Sequence, residues 1–425
     1  MFFLKRLKKI PFKGTNIKNG IWFSFFSFLN NGVNFLLLMI LADILSTNSY
    51  GALNLFQTTV LVLTVIIPLA SITYVGVSFF QKTENDLAKI ISAISIISIS
   101  ISIILLLMIF IGGQYIETIL GFSRVFQCIA VFICLGQVFT TINLEIWRLQ
   151  EKPIIYGVYS SGIILLNLLL TLLFVYKCKL DWEGRVYAQL IVTIIFSIIS
   201  FIVLYSKSFF IFKKVDVKVI KESISFGAPL LPHAMSNWLR QGLDRYILNF
   251  FGSISTVGLF SFALNFGNII NMIGLAFNMA NSVFIYKSLA NETSHTKNNL
   301  LKQIYIMTGF FGLITVCVII GAHIGIPYLF PSYIRAIPLL YPLCIGAFFQ
   351  CVYYLFVNYL YFYKKTKSLM YITVSISICH FLLSLLFTRF SPLYTAYISL
   401  ISNFTICLLT IIYCYKNNFL KSKIK

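Results

Sequence analysis

Acidic side chains are scarce. The 425-residue chain holds 12 Asp and Glu against 33 Lys and Arg, and charged residues of both signs make up only 11%. Soluble domains carry about 25% charged residues. A water-facing surface cannot be built from so few, which excludes a cytosolic enzyme and a disordered chain. Catalytic signatures are missing too: the chain contains no P-loop, H-E-x-x-H, G-x-S-x-G or nucleotide-binding glycine pattern. The nine cysteines form no C-x-x-C, have no histidine at ligand spacing and mostly lie inside apolar runs. They read as small buried apolar side chains, so no metal site, catalytic residue or cofactor is expected. The longest loop between apolar runs is about twenty residues, too short for a soluble domain.

What abounds is apolar surface. Residues of the set AVILMFWYC make up 59% of the chain, and mean hydropathy is +0.90. A membrane-crossing helix needs about 20 mostly apolar residues. Twelve segments qualify: Ile21–Ala42, Ala52–Phe80, Ile90–Ile111, Val125–Trp147, Ile154–Tyr176, Val186–Tyr205, Gly227–Phe250, Val257–Tyr286, Ile304–Ile326, Ala336–Tyr363, Ser368–Phe387 and Pro392–Tyr415. The runs are continuous rather than alternating, which excludes barrel strands. The first is too long for a cleaved signal and no small-residue cleavage pattern follows it.

Basic residues in short loops set orientation. With twelve spans, 25 of the 33 Lys and Arg fall on one side and six on the other, while Arg240 and Arg245 lie inside the seventh span. The rich side is the cytoplasm, so both termini are expected there, in a multi-pass membrane protein. The net charge of +21 is thereby accounted for without nucleic acid, and anionic lipid headgroups are natural partners of the basic loops.

The chain also repeats itself. Gly20 is followed by Gly51, and Gly227 by Gly258, both 31 residues on; an offset of 207 relates the pairs and carries Asn30 onto Asn237. Long second and eighth spans match at that offset. The expected fold is all-α, about 12 transmembrane helices in two six-helix lobes, related by a pseudo-two-fold axis along the membrane normal with a site between them. The expected divisions are a basic cytoplasmic N-terminus (1–19), an N-terminal lobe (20–206), an inter-lobe linker (207–223), a C-terminal lobe (224–415) and a basic tail (416–425).

The seventh span is the polar one. At 100° per residue His233, Asn237, Arg240, Gln241 and Asp244 share a side, with Arg245 at its margin. Each central charge costs about 2.5–3.5 kcal/mol to insert, so three facing lipid would cost roughly 8–10 kcal/mol. The stripe must face a cavity or partner helices. Pro229 and Pro232 are expected to bend its cytoplasmic end. The first span carries Ser27, Asn30, Asn31 and Asn34 on the matching face, and the eighth carries Asn268, Asn271, Asn278 and Asn281. Any one amide fits helix-to-helix bonding in lipid; the set together fits a wet cavity. Candidate substrate contacts are therefore Arg240, Arg245, Asn237, Gln241, His233, Asn30, Asn34, Asn271 and Asn278. Candidates for ion coupling are Asp244, Glu145 and Asp43, although Glu145 sits three residues before Arg148 as in a local ion pair and Asp43 suits a solvated helix end. His323 and His380 read as packing histidines.

Three stretches resemble the bacterial polysaccharide flippases, the O-antigen transporters of the multidrug/oligosaccharidyl-lipid/polysaccharide superfamily: Leu41-Ala-Asp-Ile-Leu-Ser-Thr-Asn-Ser-Tyr-Gly51, Gly227-Ala-Pro-Leu-Leu-Pro232, and Asp244-Arg245-Tyr-Ile-Leu248 followed by Val257-Gly-Leu-Phe-Ser261. Asp43 departs from the family, where many members carry a basic residue, and so does Phe260, where Tyr is common. The resemblance implies a non-enzymatic transporter that moves an undecaprenyl-diphosphate-linked oligosaccharide, of O-antigen or capsule type, between leaflets by alternating access. It also implies candidate coupling to H⁺ or Na⁺, and glycan polymerase and chain-length machinery as partners. An amide-lined cavity suits sugar hydroxyls, since Asn and Gln both donate and accept. The alternatives are a multidrug cation antiporter of the same superfamily, which would want buried carboxylates, and a membrane-embedded glycan polymerase, for which the short outer loops offer only Glu117, Asp181 and Glu183.

Overall fold

The computed structural model describes residues 15–211, 216–290, 294–363 and 365–419, and their regular structure is entirely helical. The N-terminal half runs α1 (Thr15–Ile44), α2 (Thr47–Ile66), α3 (Ile72–Gln81), α4 (Glu84–Leu120), α5 (Arg124–Leu149), α6 (Pro153–Leu172) and α7 (Asp181–Ser206). The C-terminal half runs α8 (Val217–Gly227), α9 (Leu231–Gln241), α10 (Leu243–Phe251), α11 (Ile254–Ala290), α12 (Ser294–Leu329), α13 (Ile337–Phe362), α14 (Thr366–Phe387) and α15 (Pro392–Lys416). In the first half α1 packs on α6, and α5 packs between α4 and α7; in the second, α13 packs between α11 and α15, and α14 lies against α15 and α9. The halves meet chiefly where α2 lies against α11. The outer surface is apolar, as lipid requires: on α4, Leu107, Met108, Phe110 and Ile111 are all more than half exposed.

Eleven of the described helices are long and apolar enough to cross a membrane. The seventh expected span is the one outside that set, because it is not one helix. Pro229 lies in a 3-10 turn, Ala228–Leu230, where the proline bend was expected. A second interruption falls at Gly242, between α9 and α10. Gly242 leaves room for the Trp238 ring, which a Cβ there would approach to 2.6 Å. Together α8, α9 and α10 still occupy the place of the seventh expected span, between α7 and α11. The second span is also divided. Pro68 cannot continue α2, and Leu69 and Ala70 take left-handed backbone angles, φ 49° and 54°, before α3 resumes. Non-glycine residues held there cost about 1–3 kcal/mol each. Gly227 packs against this turn, where a Cβ would come within 2.2 Å of the Leu69 carbonyl oxygen.

The internal repeat is visible as a contact. The offset of 207 carries Thr47 onto Ile254 and Gly51 onto Gly258. A Cβ on Gly51 would lie 1.9 Å from the Ile254 carbonyl oxygen, and one on Gly258 would lie 2.1 Å from that of Thr47. These are one contact written twice, as a two-fold axis through the crossing of α2 and α11 demands.

Candidate functional site

Polar residues concentrate along the seam between the halves. At one end Thr47 Oγ1 and Ser255 Oγ lie 2.8 Å apart. Tyr50 is fully buried; its hydroxyl accepts a 2.7 Å bond from Asn265 Nδ2, and its ring stands edge-on to Tyr333 at 5.9 Å. Deeper in, α9 and α10 reach across to α2. Arg245 donates to Thr58 Oγ1 on α2 at 3.1 Å and to Ser261 Oγ on α11 at 3.0 Å. Tyr246 meets the Thr59 hydroxyl at 2.7 Å, and Trp238 Nε1 donates to the Thr58 carbonyl at 3.2 Å. Asn249 Nδ2 bonds the Ile119 carbonyl at 3.2 Å. This portion of the seam, from Thr47 to Arg245, is thus closed by side chains from both halves.

The other flank differs. Between α1 and α11 lies a crevice of about 340 Å³ lined by Ser27, Phe28, Asn31, Met272, Leu275, Ala276 and Asn278. It mixes two amides and a hydroxyl with apolar walls, as a groove shared by sugar and lipid would.

Asp244 is the one acid buried among the described residues, at 1% exposure. His380 Nε2 stands 3.1 Å from Oδ1 and 3.2 Å from Oδ2, and Ser384 Oγ donates to Oδ1 at 2.9 Å. On the far side of the imidazole, Nδ1 is 3.0 Å from Ser402 Oγ. This geometry accepts two protonation states without moving a heavy atom. Neutral imidazole donates from Nε2 and accepts the Ser402 proton at Nδ1; imidazolium donates at both ends, since a hydroxyl oxygen also accepts. The chain ties α10 to α14 and α15 inside one half. Sequence reasoning treated His380 as packing and did not reach Ser384 or Ser402: Asp244 lies 136 residues from His380 and 140 from Ser384, and Ser402 joins only through His380, from a different span. No periodicity within a span reveals such a pairing. Thr58 and Ser261 likewise meet Arg245 from other helices, 187 and 16 residues away, which no pattern within one span reveals.

The remaining candidates are dispersed. Arg240 is buried on α9, within electrostatic reach of Tyr353 and Tyr354 on α13. His233, Asn237 and Gln241 also lie on α9; their side chains fall outside those described. Asn30 donates to Ser160 Oγ and accepts from Ser161 Oγ, both at 2.9 Å, and so bonds α1 to α6 within its own half. Asn34 is exposed on α1. Asn278 accepts from Asn358 Nδ2 at 2.7 Å at the edge of the crevice. Asn271 Oδ1 is buried with no partner, an acceptor left for a water or a ligand hydroxyl. Glu145 takes a 2.9 Å bond from Arg148 Nε, as its spacing suggests. Asp43 is exposed in an outer crevice with Tyr176 and Phe330. His323 Nδ1 meets the Tyr341 hydroxyl at 2.8 Å. All nine cysteines are free, and the described residues contain no cluster able to hold a metal.

Two packed helical halves with a polar seam define a multi-pass membrane protein with the fold of the MOP-superfamily transporters. The fold is similar to that of the lipid II flippase MurJ in an inward closed conformation, at 13% identity and TM-score 0.72, covering 94% of this chain and 89% of that one. It is also similar to an inward-facing multidrug resistance MATE family transporter of the MOP superfamily, at 15% identity and TM-score 0.69, covering 93% and 96%. Residues 17–284 match the polysaccharide biosynthesis protein family, and the chain belongs to that family. An uncharacterized membrane protein of Haemophilus influenzae is 25% identical over 361 residues, 80% of this chain and 83% of that one.

Proposed function

We propose that the protein moves an undecaprenyl-diphosphate-linked oligosaccharide from the inner to the outer leaflet of the bacterial inner membrane by alternating access, with both termini in the cytoplasm. The observation that carries this reading is the crevice between α1 and α11. An amphiphile with a sugar head and a prenyl tail needs a path that is polar inward and apolar toward lipid. A crevice holding Asn31, Asn278 and Ser27 beside Phe28, Met272 and Leu275 supplies both. Arg240 and Arg245 are the cations that would meet the diphosphate, because a guanidinium forks onto phosphate oxygens; the amides, Asn271 among them, would meet sugar hydroxyls. A multidrug cation antiporter is less well supported, since a cationic drug would compete with Arg245 for the carboxylate of Asp244, already held by His380 and Ser384.

Asp244 and His380 are the proposed proton-coupling pair. Ionisable residues inside membrane spans commonly mark ion and proton paths, and here the two side chains bond each other in the interior. The groups facing the pair are Ser384 on α14, Ser402 on α15 and Arg245 beside Asp244 on α10. The deciding experiment deletes the gene and assigns the leaflet of the lipid-linked glycan that accumulates. Inner-leaflet accumulation is expected. Outer-leaflet accumulation would point to a polymerase, and none at all would remove the reading.

A further inference from the structure

We propose that Arg245 is the latch of the outer seam, and that an anionic group arriving between the lobes releases it. The inference rests on the reading above for the identity of that anion and for which end of the seam faces outward.

Arg245 is the residue on α10 that touches both halves through its guanidinium: Thr58 in the first and Ser261 in the second. Pulling α2 away from α11 breaks one of these bonds. Thr58 also receives Trp238 through its carbonyl, and the next residue on each chain, Thr59 with Tyr246, bonds as well, so three consecutive contacts let go together. The repeat makes the role sharper. An offset of 207 carries Thr58 onto Asn265 and Asn54 onto Ser261. On the other side of the axis, Asn265 is engaged by the Tyr50 hydroxyl. The seam is therefore pinned by a neutral phenol on one side and by a cation on the other. Only the cation has reason to change partner. Its bonds to Thr58 and Ser261 are to neutral hydroxyls, whereas a phosphate offers ionised oxygens spaced for both arms of the fork, and such charge-assisted bonds are roughly twice as strong. A phosphate that captures Arg245 loosens the contact holding the outer side shut, so loading from the inside and opening to the outside become one event. A ligand shifts such an equilibrium only by binding the two states differently, and this exchange supplies the difference.

The test uses the full chain in nanodiscs with Thr47→Cys and Ser255→Cys, whose hydroxyls lie 2.8 Å apart; mapping the 47–255 disulfide by peptide analysis reads closure of the seam with the native cysteines retained. Without ligand, adding Thr58→Val and Ser261→Ala should slow disulfide formation about fivefold or more, the low end of ordinary coupling between sites. Both replacements are close in volume, so the fold is kept, and Arg245→Gln provides a second variant expected to behave alike. Equal rates in parent and both variants would overturn the latch. Inorganic pyrophosphate should slow the parent but not the variants; no effect from it or from the lipid diphosphate would overturn release by anions. Undecaprenyl diphosphate should act at lower concentration than pyrophosphate, and undecaprenol should do nothing. Pyrophosphate acting without any advantage for the lipid form would leave the latch standing and overturn the lipid-linked substrate instead.

Discussion

By internal repeat, α2 against α9 and α10 on one flank of the seam is the counterpart of α11 against α1 on the other. The first flank is bonded through Thr58, Thr59, Trp238, Arg245 and Tyr246. The second holds a crevice of about 340 Å³ edged with amides. The source of the difference lies in residues rather than backbone plan. Where α10 carries Asp244, the offset of 207 puts Leu37 on α1, an apolar side chain 2% exposed. At this position one copy of the repeat carries a charge and the other an apolar side chain. A symmetric scaffold thus carries a bonded, charged flank on one side of the seam and an amide-edged crevice on the other.

The largest way to break the comparison is to remove the charge from its flank. Asp244→Ala strands His380 Nε2 and Ser384 in the interior, and breaking a buried pair costs about 3–5 kcal/mol. A drop of that size in unfolding free energy, with export lost, is expected; Leu37→Ala is expected to lower stability without changing the proton dependence of transport. Proton flux in proteoliposomes separates the two variants.

Next in size are the crossing glycines. Gly51→Leu and Gly258→Leu each drive a side chain into a carbonyl of the opposing helix, and overpacking of this kind costs about 1–3 kcal/mol. Because the two contacts are equivalent, the variants should reduce 47–255 disulfide formation to similar extents. Unequal effects would show that the axis does not govern the seam.

The open flank is sharpened by filling it. Ala276→Trp, within the crevice, should slow glycan export roughly tenfold, equivalent to about 1.4 kcal/mol, while the 47–255 disulfide forms as in the parent. Slowed disulfide formation would mean that the flanks are not separate.

The smallest effect belongs to Glu145. Its pair with Arg148 is partly exposed, 56% for the arginine and 20% for the acid. Glu145→Gln should cost about 0.2–0.5 kcal/mol, the worth of a local helix pair, and leave export near the parental rate. A loss of proton dependence would instead make Glu145 a coupling residue.

Much of this architecture is legible in the sequence because lipid enforces it. Span length, continuous apolar runs and the asymmetry of lysines and arginines leave little freedom in helix number, and the glycine repeat already contains the crossing of α2 and α11. What is not legible has identifiable causes. The break at Gly242 is invisible because an isolated glycine is tolerated in many helices; only the Trp238 ring packed against it shows the need. Asn30 and Asn237 look equivalent at the repeat offset, yet Asn30 is spent on Ser160 and Ser161 inside its own half. The Asp244–His380 pair joins residues from different spans, and a single sequence says which faces are polar without saying which of them meet.

That distance has a bearing on how the chain is made. The segment bearing Arg240, Asp244 and Arg245 enters the membrane poorly by itself, at about 2.5–3.5 kcal/mol for each central charge. Thr58 has already been synthesised when it emerges and can receive Arg245 at once. Asp244 must wait for His380, 136 residues later, and at about 5–20 residues per second that is on the order of ten seconds. For that interval a bare carboxylate sits at the membrane with its partners still unmade, which makes α10 the segment that a membrane-insertion chaperone or a quality-control protease would meet first.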